Sequence, residues 1–222
     1  MIFTVFLTSV LRGEEKRMKE YEVKIKLTEY ILANIKKNII GSEFRFDFGA
    51  RRADIITICD GIATAFEIKT SGDNVTRLPQ QIYGYKKYFD FCFIVCEPGN
   101  IDNVRKVISK EIGLIMVDDM QVTLIRKSKQ FKAHDKLMLA STLNIKEIRG
   151  LVKVGKLSKM ELCQKISDTF NLEKIRSISR YSLEKRMKTP FETFINEKGD
   201  SITRDDLMTL NRMPSHRLTF AS

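Results

Sequence analysis

The first part of the chain has a helical pattern of apolar residues that changes to an alternating one. Residues 17–38 carry apolar side chains at helical spacing, with Lys and Glu between them, which predicts an amphipathic helix. Gly41 is expected to end it. Glu43–Phe48 then alternates strictly between polar and aromatic residues, which predicts a half-buried strand with Phe44, Phe46 and Phe48 on one face.

The next apolar runs, Ala53–Cys59 and Ile62–Lys69, flank Asp60-Gly61, a dipeptide typical of tight β-hairpins. The pattern beyond them predicts a helix from Asp73 or Asn74 to about Phe89, a strand at Phe91–Cys96, a helix at Asp102–Lys110 and a strand at Gly113–Val117. Phe91–Cys96 is apolar on both faces, so we expect it to be central in the sheet. This order predicts a mixed α/β layer domain over residues 18–120.

From about residue 130 the pattern is helical and basic. Candidate helices are Lys136–Leu143, Ile145–Val152, Ser158–Phe170, Leu172–Met187 and Arg204–Asn211. The chain has a formal net charge of +11. Residues 121–222 contribute +10 of it, since they carry 21 basic and 11 acidic side chains. This asymmetry indicates a nearly neutral domain followed by a basic, all-helical C-terminal region, 121–222.

The first residues of the chain and its cysteines give predictions about the cellular compartment of the protein. Residues 1–17 begin with a short apolar stretch that lacks the features of a signal peptide and is too short to span a membrane. We interpret them as a non-native or disordered extension, with Met18 as an alternative start. Four unevenly spaced cysteines do not form a disulfide framework, which favours a reducing compartment. We therefore expect a soluble, cytoplasmic protein without a membrane partner.

The predicted hairpin brings charged residues together. With a two-residue turn at Asp60-Gly61, Asp54 lies directly opposite Glu67, and Lys69 shares their face. Opposed like charges destabilise a hairpin unless something compensates, and Mg²⁺ bound by carboxylates would do so. The simpler alternative is an exposed salt-bridge cluster on an edge hairpin.

The motifs around these residues resemble a known superfamily. Arg52-Ala-Asp-Ile55, Phe66-Glu-Ile-Lys69 and Arg77-Leu-Pro-Gln-Gln81 are similar to the core of the PD-(D/E)XK nucleases, and in particular to a largely uncharacterised bacterial family among them. The resemblance covers roughly residues 25–118. It implies a restriction-endonuclease-like mixed sheet flanked by helices. Ala53 departs from the superfamily pattern, because it stands where the proline of its name would be.

The resemblance also implies roles for individual residues. Asp54 and Glu67 would be metal ligands for Mg²⁺ or Mn²⁺, with the Ile68 carbonyl as a third ligand and Glu43 completing the shell. Lys69 would be the catalytic lysine. From the following helix Gln81 would point toward the site, with Tyr85 one turn further on, and Arg77 could touch a phosphate. An acidic residue such as Glu43 on the polar face of a strand is also ordinary without a metal.

These observations predict a metal-dependent nuclease that hydrolyses phosphodiester bonds of DNA. The basic helices, with Lys153, Lys156 and Lys159, would hold the nucleic acid, or would simply be a solvated face packed on the domain. The alternative function is a catalytically idle module on the same fold that binds nucleic acid or protein. The sequence is compatible with a homodimer. Because only His134 and His216 are histidines, a His-Glu-x-x-His zinc site is excluded.

Overall fold

Six strands and eight α-helices form the part of the chain that the computed structural model describes, residues 17–153 and 155–211. The strands are β1 (Ile39–Phe46), β2 (Arg51–Cys59), β3 (Ile62–Lys69), β4 (Phe91–Cys96), β5 (Gly113–Val117) and β6 (Val122–Arg126). The helices are α1 (Glu20–Asn34), α2 (Leu78–Tyr88), α3 (Ile101–Val107), α4 (Lys136–Ser141), α5 (Ile145–Leu151), α6 (Lys159–Thr169), α7 (Leu172–Glu197) and α8 (Arg204–Asn211).

The strands form one mixed sheet in the order β1-β2-β3-β4-β5-β6. β1, β2 and β3 are an antiparallel meander, β3, β4 and β5 run parallel, and β6 returns antiparallel to β5. Helices cover both faces of the sheet. The predicted mixed α/β sheet with flanking helices and a helical C-terminal region is therefore confirmed, as is the central position of β4.

The β2–β3 hairpin has the predicted register. Its pairs run from Cys59 opposite Ile62 to Ile55 opposite Phe66. Both turn residues have positive φ, 49° at Asp60 and 73° at Gly61, as the tight hairpin turn requires. The hairpin lies inside the sheet, because β1 pairs with the other edge of β2. The alternative of an edge hairpin is therefore wrong.

The predicted aromatic face of β1 is shorter than expected. β1 ends at Phe46, and Asp47–Gly49 form a 3-10 turn in which Phe48 is 39% exposed. Asp47 and Phe48 both have left-handed backbone angles, which cost on the order of 1–2 kcal/mol per non-glycine residue. Gly41 lies within β1, so it does not end the preceding helix.

The C-terminal region shares the core of the sheet. Leu139, Leu162 and Leu183 belong to the same buried cluster as Ile56 and Ile94 of the sheet. β6 also lies inside the range predicted to be wholly helical, and two of its five residues, Leu124 and Ile125, are exposed. The first and second halves of the sequence are thus one packed unit, although they differ in charge.

Several helix ends also differ from the prediction, and the ends of α2 and α7 are explained by specific contacts. α2 begins at Leu78, because Asp73 instead accepts hydrogen bonds from the backbone and hydroxyl of Thr70. α7 continues through Pro190 to Glu197, because its last turns bury Phe194 in a second cluster on the opposite face of the sheet. Among the helices of the described residues, none is long and apolar enough to cross a membrane. The interpretation of residues 1–17 concerns residues that lie, Arg17 apart, outside the described residues.

Asp90 connects the C-terminal helices to the sheet. Its carboxylate is fully buried and accepts hydrogen bonds from Arg176 at 2.7 Å, from Arg180 at 3.1 Å and from the backbone N–H of Ala63 at 2.8 Å. Its backbone carbonyl accepts a further bond from Phe131 N–H, at 2.8 Å. One residue therefore joins β3, the segment before α4, and α7.

We expect Asp90→Asn to lower the free energy of unfolding by about 3 kcal/mol, because it leaves the buried Arg180 guanidinium without its counter-charge. Urea unfolding followed by circular dichroism measures this. Asp102→Asn is the matched control, since Asp102 is 82% exposed and lies 3.8 Å from Arg105, and its effect should stay within about 0.5 kcal/mol. Equal effects of the two substitutions would contradict the role given to Asp90.

Gly113, at the start of β5, lies under the ring of Phe93. A Cβ placed there would be 2.2 Å from the ring. We expect Gly113→Ala to destabilise the protein by about 1–3 kcal/mol through overpacking. Gly150, in α5, has no neighbour within 4 Å of such a Cβ, so Gly150→Ala should stabilise it by about 0.5–1 kcal/mol. Thermal unfolding of both variants tests these opposite signs.

Candidate functional site

A cleft of about 400 Å³ opens beside the ends of β2 and β3 and the start of α2. It is lined by polar and charged side chains from four parts of the chain: Glu20, Arg51, Arg52, Asp54, Glu67, Lys69, Asp73, Gln81 and Tyr85, together with Ala50 and Ile68. The hairpin register places Asp54, Glu67 and Lys69 there, and α2 supplies the residues opposite them. The structure thus brings together most of the residues that the sequence singled out.

The Glu67 carboxylate accepts hydrogen bonds from three side chains of the cleft. It is 3% exposed, and one carboxylate oxygen accepts from Lys69 Nζ at 2.6 Å and from Gln81 Nε2 at 2.5 Å. The other oxygen accepts a hydrogen bond from the hydroxyl of Tyr85. Burial, reinforced by the charge of Glu67, raises the pKa of Tyr85 far above its usual value, so this hydroxyl stays protonated and remains a donor. Gln81 and Tyr85 therefore fix the orientation of the Glu67 carboxylate.

Asp54 lies beside Glu67 and is 8% exposed. One of its oxygens accepts the backbone N–H of Ile68 at 2.8 Å. Burial, and then the negative charge of Glu67, raise the pKa of Asp54 to about 7. Keeping both carboxylates ionised therefore costs free energy, and a nearby positive charge would offset that cost.

Two more acidic residues lie close to Asp54, Glu20 on α1 and Glu43 on β1. Carboxylate oxygens of Glu20, Glu43 and Asp54 lie within 4.8 Å of one another, which is a spacing suited to one metal ion. Glu67 is outside that group. Lys24 forms salt bridges with Glu20, at 2.6 Å, and with Glu43. Burial lowers the pKa of Lys24, but its hydrogen bonds to Glu20 and Glu43 outweigh this and raise it, so Lys24 is a stable cation among these carboxylates.

Glu43 has a backbone φ of 55° in the middle of β1. Besides Lys24 it contacts Arg52, whose Nε lies 2.6 Å from a Glu43 oxygen. It is therefore half-buried within a cluster of charges, and does not stand free on the polar face of a strand. The left-handed backbone at this position costs on the order of 1–2 kcal/mol and turns the side chain away from the regular alternation of β1.

The predicted nucleic-acid contacts divide into two groups. Arg77 lies next to the cleft, in a depression that it shares with Lys69, Asp73 and Gln81. Lys153 and Lys156 are exposed and Lys159 is half-buried, and the structure does not place any of the three in the wall of the cleft. Ile68 does line the cleft, next to Asp54.

Sequence reasoning missed Glu20, Lys24 and Arg51. Glu20 and Lys24 follow an ordinary pattern of charges on an amphipathic helix, and no local signal separates them from solvent-facing residues. A sequence signal for Arg51 did exist, because a glycine in the middle of a helix, here Gly84 in α2, indicates that another group approaches the helix closely. The Arg51 side chain crosses the helix where a Cβ on Gly84 would lie 2.7 Å from it, so the glycine makes room for the arginine.

The fold and the cleft define an α/β protein with a buried carboxylate pair and a lysine at one end of a mixed sheet. A family model described as bacteriophage P4 protein cII matches residues 14–211, so the chain belongs to that family. Protein cII of Enterobacteria phage P4 is 26% identical over 208 residues, a match that covers 88% of this chain and 78% of that protein. A solved structure, the SPO1766 protein of unknown function from Silicibacter pomeroyi, is similar over 72% of this chain and 92% of its own, with 13% identity and a TM-score of 0.40.

Proposed function

We propose that this protein is a metal-dependent nuclease that hydrolyses phosphodiester bonds of DNA, with Mg²⁺ or Mn²⁺ as its cofactor, in the cytoplasm. The observation that carries the proposal is the buried pair of Asp54 and Glu67 with Lys69 beside it, in a cleft open to solvent. A purely structural salt bridge would need one carboxylate for one lysine. The additional buried carboxylate is costly, and metal-dependent hydrolysis gives it a role.

The residues present fit a divalent cation. Asp54, Glu20 and Glu43 supply clustered oxygens, and hard cations such as Mg²⁺ prefer oxygen ligands. The side-chain oxygen of Gln81 is buried at the cleft and has no hydrogen-bond partner, so it is ready to accept from a water molecule or a substrate group. When bound, a divalent cation would neutralise Asp54, which has no salt-bridge partner among the described residues, alongside the Lys24 pairs of Glu20 and Glu43, and it would polarise a phosphate oxygen or a water.

The chain's own residues would perform the remaining tasks. Lys69, held at 2.6 Å from Glu67, places a positive charge where a scissile phosphate would enter the cleft. There it can stabilise charge on the phosphate or orient the attacking water. Gln81 and Tyr85 keep Glu67 in place during this step.

Positive side chains at the margin of the cleft would hold the DNA backbone. Arg51, Arg52 and Arg77 lie in the cleft or next to it. The surface with Lys153, Lys156 and Lys159 is a further candidate for contacts with phosphates, and the +10 charge of residues 121–222 supports it. A homodimer is compatible with this arrangement.

A second candidate function is a catalytically idle module that binds nucleic acid or protein. One observation favours it. The Glu67 carboxylate is fully engaged by Lys69, Gln81 and Tyr85, and its oxygens stand outside the acidic group of Glu20, Glu43 and Asp54. The two candidates differ in whether metal and Lys69 are needed for a chemical step.

Metal binding is the first test. We expect Mg²⁺ or Mn²⁺ to raise the melting temperature of the wild-type protein by mass action. Asp54→Asn should weaken metal binding in calorimetry by at least about tenfold, and should raise the melting temperature without metal because it removes a buried like charge. Glu20→Gln should also weaken binding. Glu29→Gln, an exposed position on the same helix, is the control and should bind as the wild type does. No binding by the wild type would contradict the metal site.

Cleavage is the second test. Purified protein with Mg²⁺ or Mn²⁺ should cut at least one form in a panel of single-stranded, duplex and branched DNA. We expect Lys69→Ala to lower the rate by at least about 100-fold, because it removes the cation beside the reacting phosphate. Lys110→Ala, which changes an exposed lysine of the α3–β5 loop, should cut at the wild-type rate. If the wild type binds DNA and cuts none of these forms, the idle module is the better description.

A further inference from the structure

Phe48, in the turn between β1 and β2, is an unusual residue for the backbone conformation at its position. Asp47, Phe48 and Gly49 have φ values of 53°, 54° and 90°, so three consecutive residues are left-handed. Glycine adopts this conformation freely and aspartate tolerates it, but a bulky aromatic residue rarely does. The turn packs on α4, yet Phe48 remains 39% exposed, so its ring is only partly buried. Backbone preference does not favour phenylalanine here, and part of the ring is open to solvent.

The turn is nevertheless held firmly. Ala50 N–H donates to the Asp47 carbonyl at 2.9 Å, and Arg51 Nε donates to the Asp47 carboxylate at 3.1 Å. Arg51 also donates to the Gln80 carbonyl, at 3.2 Å, and crosses α2 at Gly84. The turn is thus fastened to the helix that carries Gln81. These bonds hold the backbone that carries Phe48 in place relative to the cleft.

The turn leads directly into the wall of the cleft. Ala50, Arg51 and Arg52, which follow Phe48 by two to four residues, line it together with Asp54, Glu67 and Lys69. The surroundings are cationic, since Arg45 is exposed and the Arg52 side chain is 49% exposed. An exposed aromatic ring in a turn whose neighbouring residues are held by Arg45 and Arg51 has the elements that proteins use to bind single-stranded nucleic acid, where cations hold phosphates and a ring stacks on a base.

We propose that Phe48 stacks on an unpaired base of the substrate strand whose phosphate enters the cleft, and that the preferred substrate is therefore single-stranded DNA. A base in a duplex presents only its edges in the grooves, so a protein ring reaches the face of a base only where that base is unstacked. This inference rests on the proposed nuclease function and specifies its substrate.

The experiment compares binding to a single strand and to a duplex of the same length, each with 2-aminopurine as the fluorescent base. The protein is the full chain carrying Glu67→Gln, with Mg²⁺ present, so that the strand is bound but not cut. Adding Phe48→Ala should weaken single-strand affinity by about 5- to 100-fold and leave duplex affinity within about twofold. Phe48→Trp should keep single-strand affinity within about threefold and should still alter the 2-aminopurine signal.

Two further variants separate stacking from a structural role. Phe48→Gly removes the ring and also relieves the left-handed backbone, and it should weaken single-strand binding as much as Phe48→Ala does. Tyr181→Ala, which removes a 70% exposed aromatic ring on α7, is the control and should leave single-strand affinity unchanged.

The stacking role is overturned if Phe48→Ala leaves single-strand affinity unchanged, if it weakens duplex binding equally, if Phe48→Trp binds no better than Phe48→Ala, or if Phe48→Gly binds a single strand as tightly as the protein that keeps Phe48. Cleavage by the wild-type protein distinguishes a failure of the stacking role from a failure of the proposed nuclease function. If that protein cuts DNA and Phe48→Ala has no effect on binding, only the stacking role fails. If it neither binds nor cuts DNA, the proposed function fails and the stacking role fails with it.

Discussion

The buried carboxylate of Asp90 is the interaction on which the arrangement of the rest of the chain depends. It stands at the start of the central strand β4, and it satisfies an N–H of β3 and the guanidinium groups of Arg176 and Arg180 on α7. A fully buried charge is tolerated only when it is paired and hydrogen-bonded, so the position of α7 relative to the sheet is fixed by electrostatics as well as by apolar contact. Arg180 strengthens the connection, because its guanidinium lies 4.8 Å from the ring of Tyr88 and donates to the Tyr88 carbonyl.

The position of α7 has consequences at the other end of the sheet. After Arg180 the helix passes the edge strand β1, where Met187 contacts Gly41, and it then buries Phe194 on the opposite face. α8 continues along β1 and packs on α1. The edge of β1 that has no neighbouring strand is therefore covered by helices, as sheet edges in soluble folds commonly are. α1 is held in place from two sides, and it is α1 that presents Glu20 to the cleft and Lys24 to the carboxylates of Glu20 and Glu43. The basic helices are in this way part of the framework that positions the acidic site.

The features that could be predicted from the sequence are those determined by interactions between residues close together in the chain. The Asp60-Gly61 turn specifies its own geometry, so the register that brings Asp54, Glu67 and Lys69 to one face followed from a few adjacent residues. β4 and β5 were predicted with their observed bounds, because short apolar runs between turn residues leave little freedom. Phe48, by contrast, fits an alternating strand in every local respect. Its departure from β1 depends on hydrogen bonds that Arg51 and Ala50 make to Asp47 in the folded turn.

The residues that could not be predicted share a second property, which is that their roles depend on contacts distant in sequence. Glu20 reaches Asp54 only because α1 packs on the sheet, and Arg180 reaches Asp90 across 90 positions of the chain. The net charge of a segment likewise does not show which charges pair inside the fold. Residues 121–222 carry the +10 that predicted a basic C-terminal region, and two of their arginines form salt bridges with a buried aspartate of the first half. Part of the excess charge is thus internal and structural, and only the exposed remainder, such as Lys153 and Lys156, is free to meet a polyanion. The net charge of a sequence segment is therefore an upper limit on the charge that its surface can offer to a polyanion. Ion pairs inside the fold determine how much of that charge is exposed to solvent.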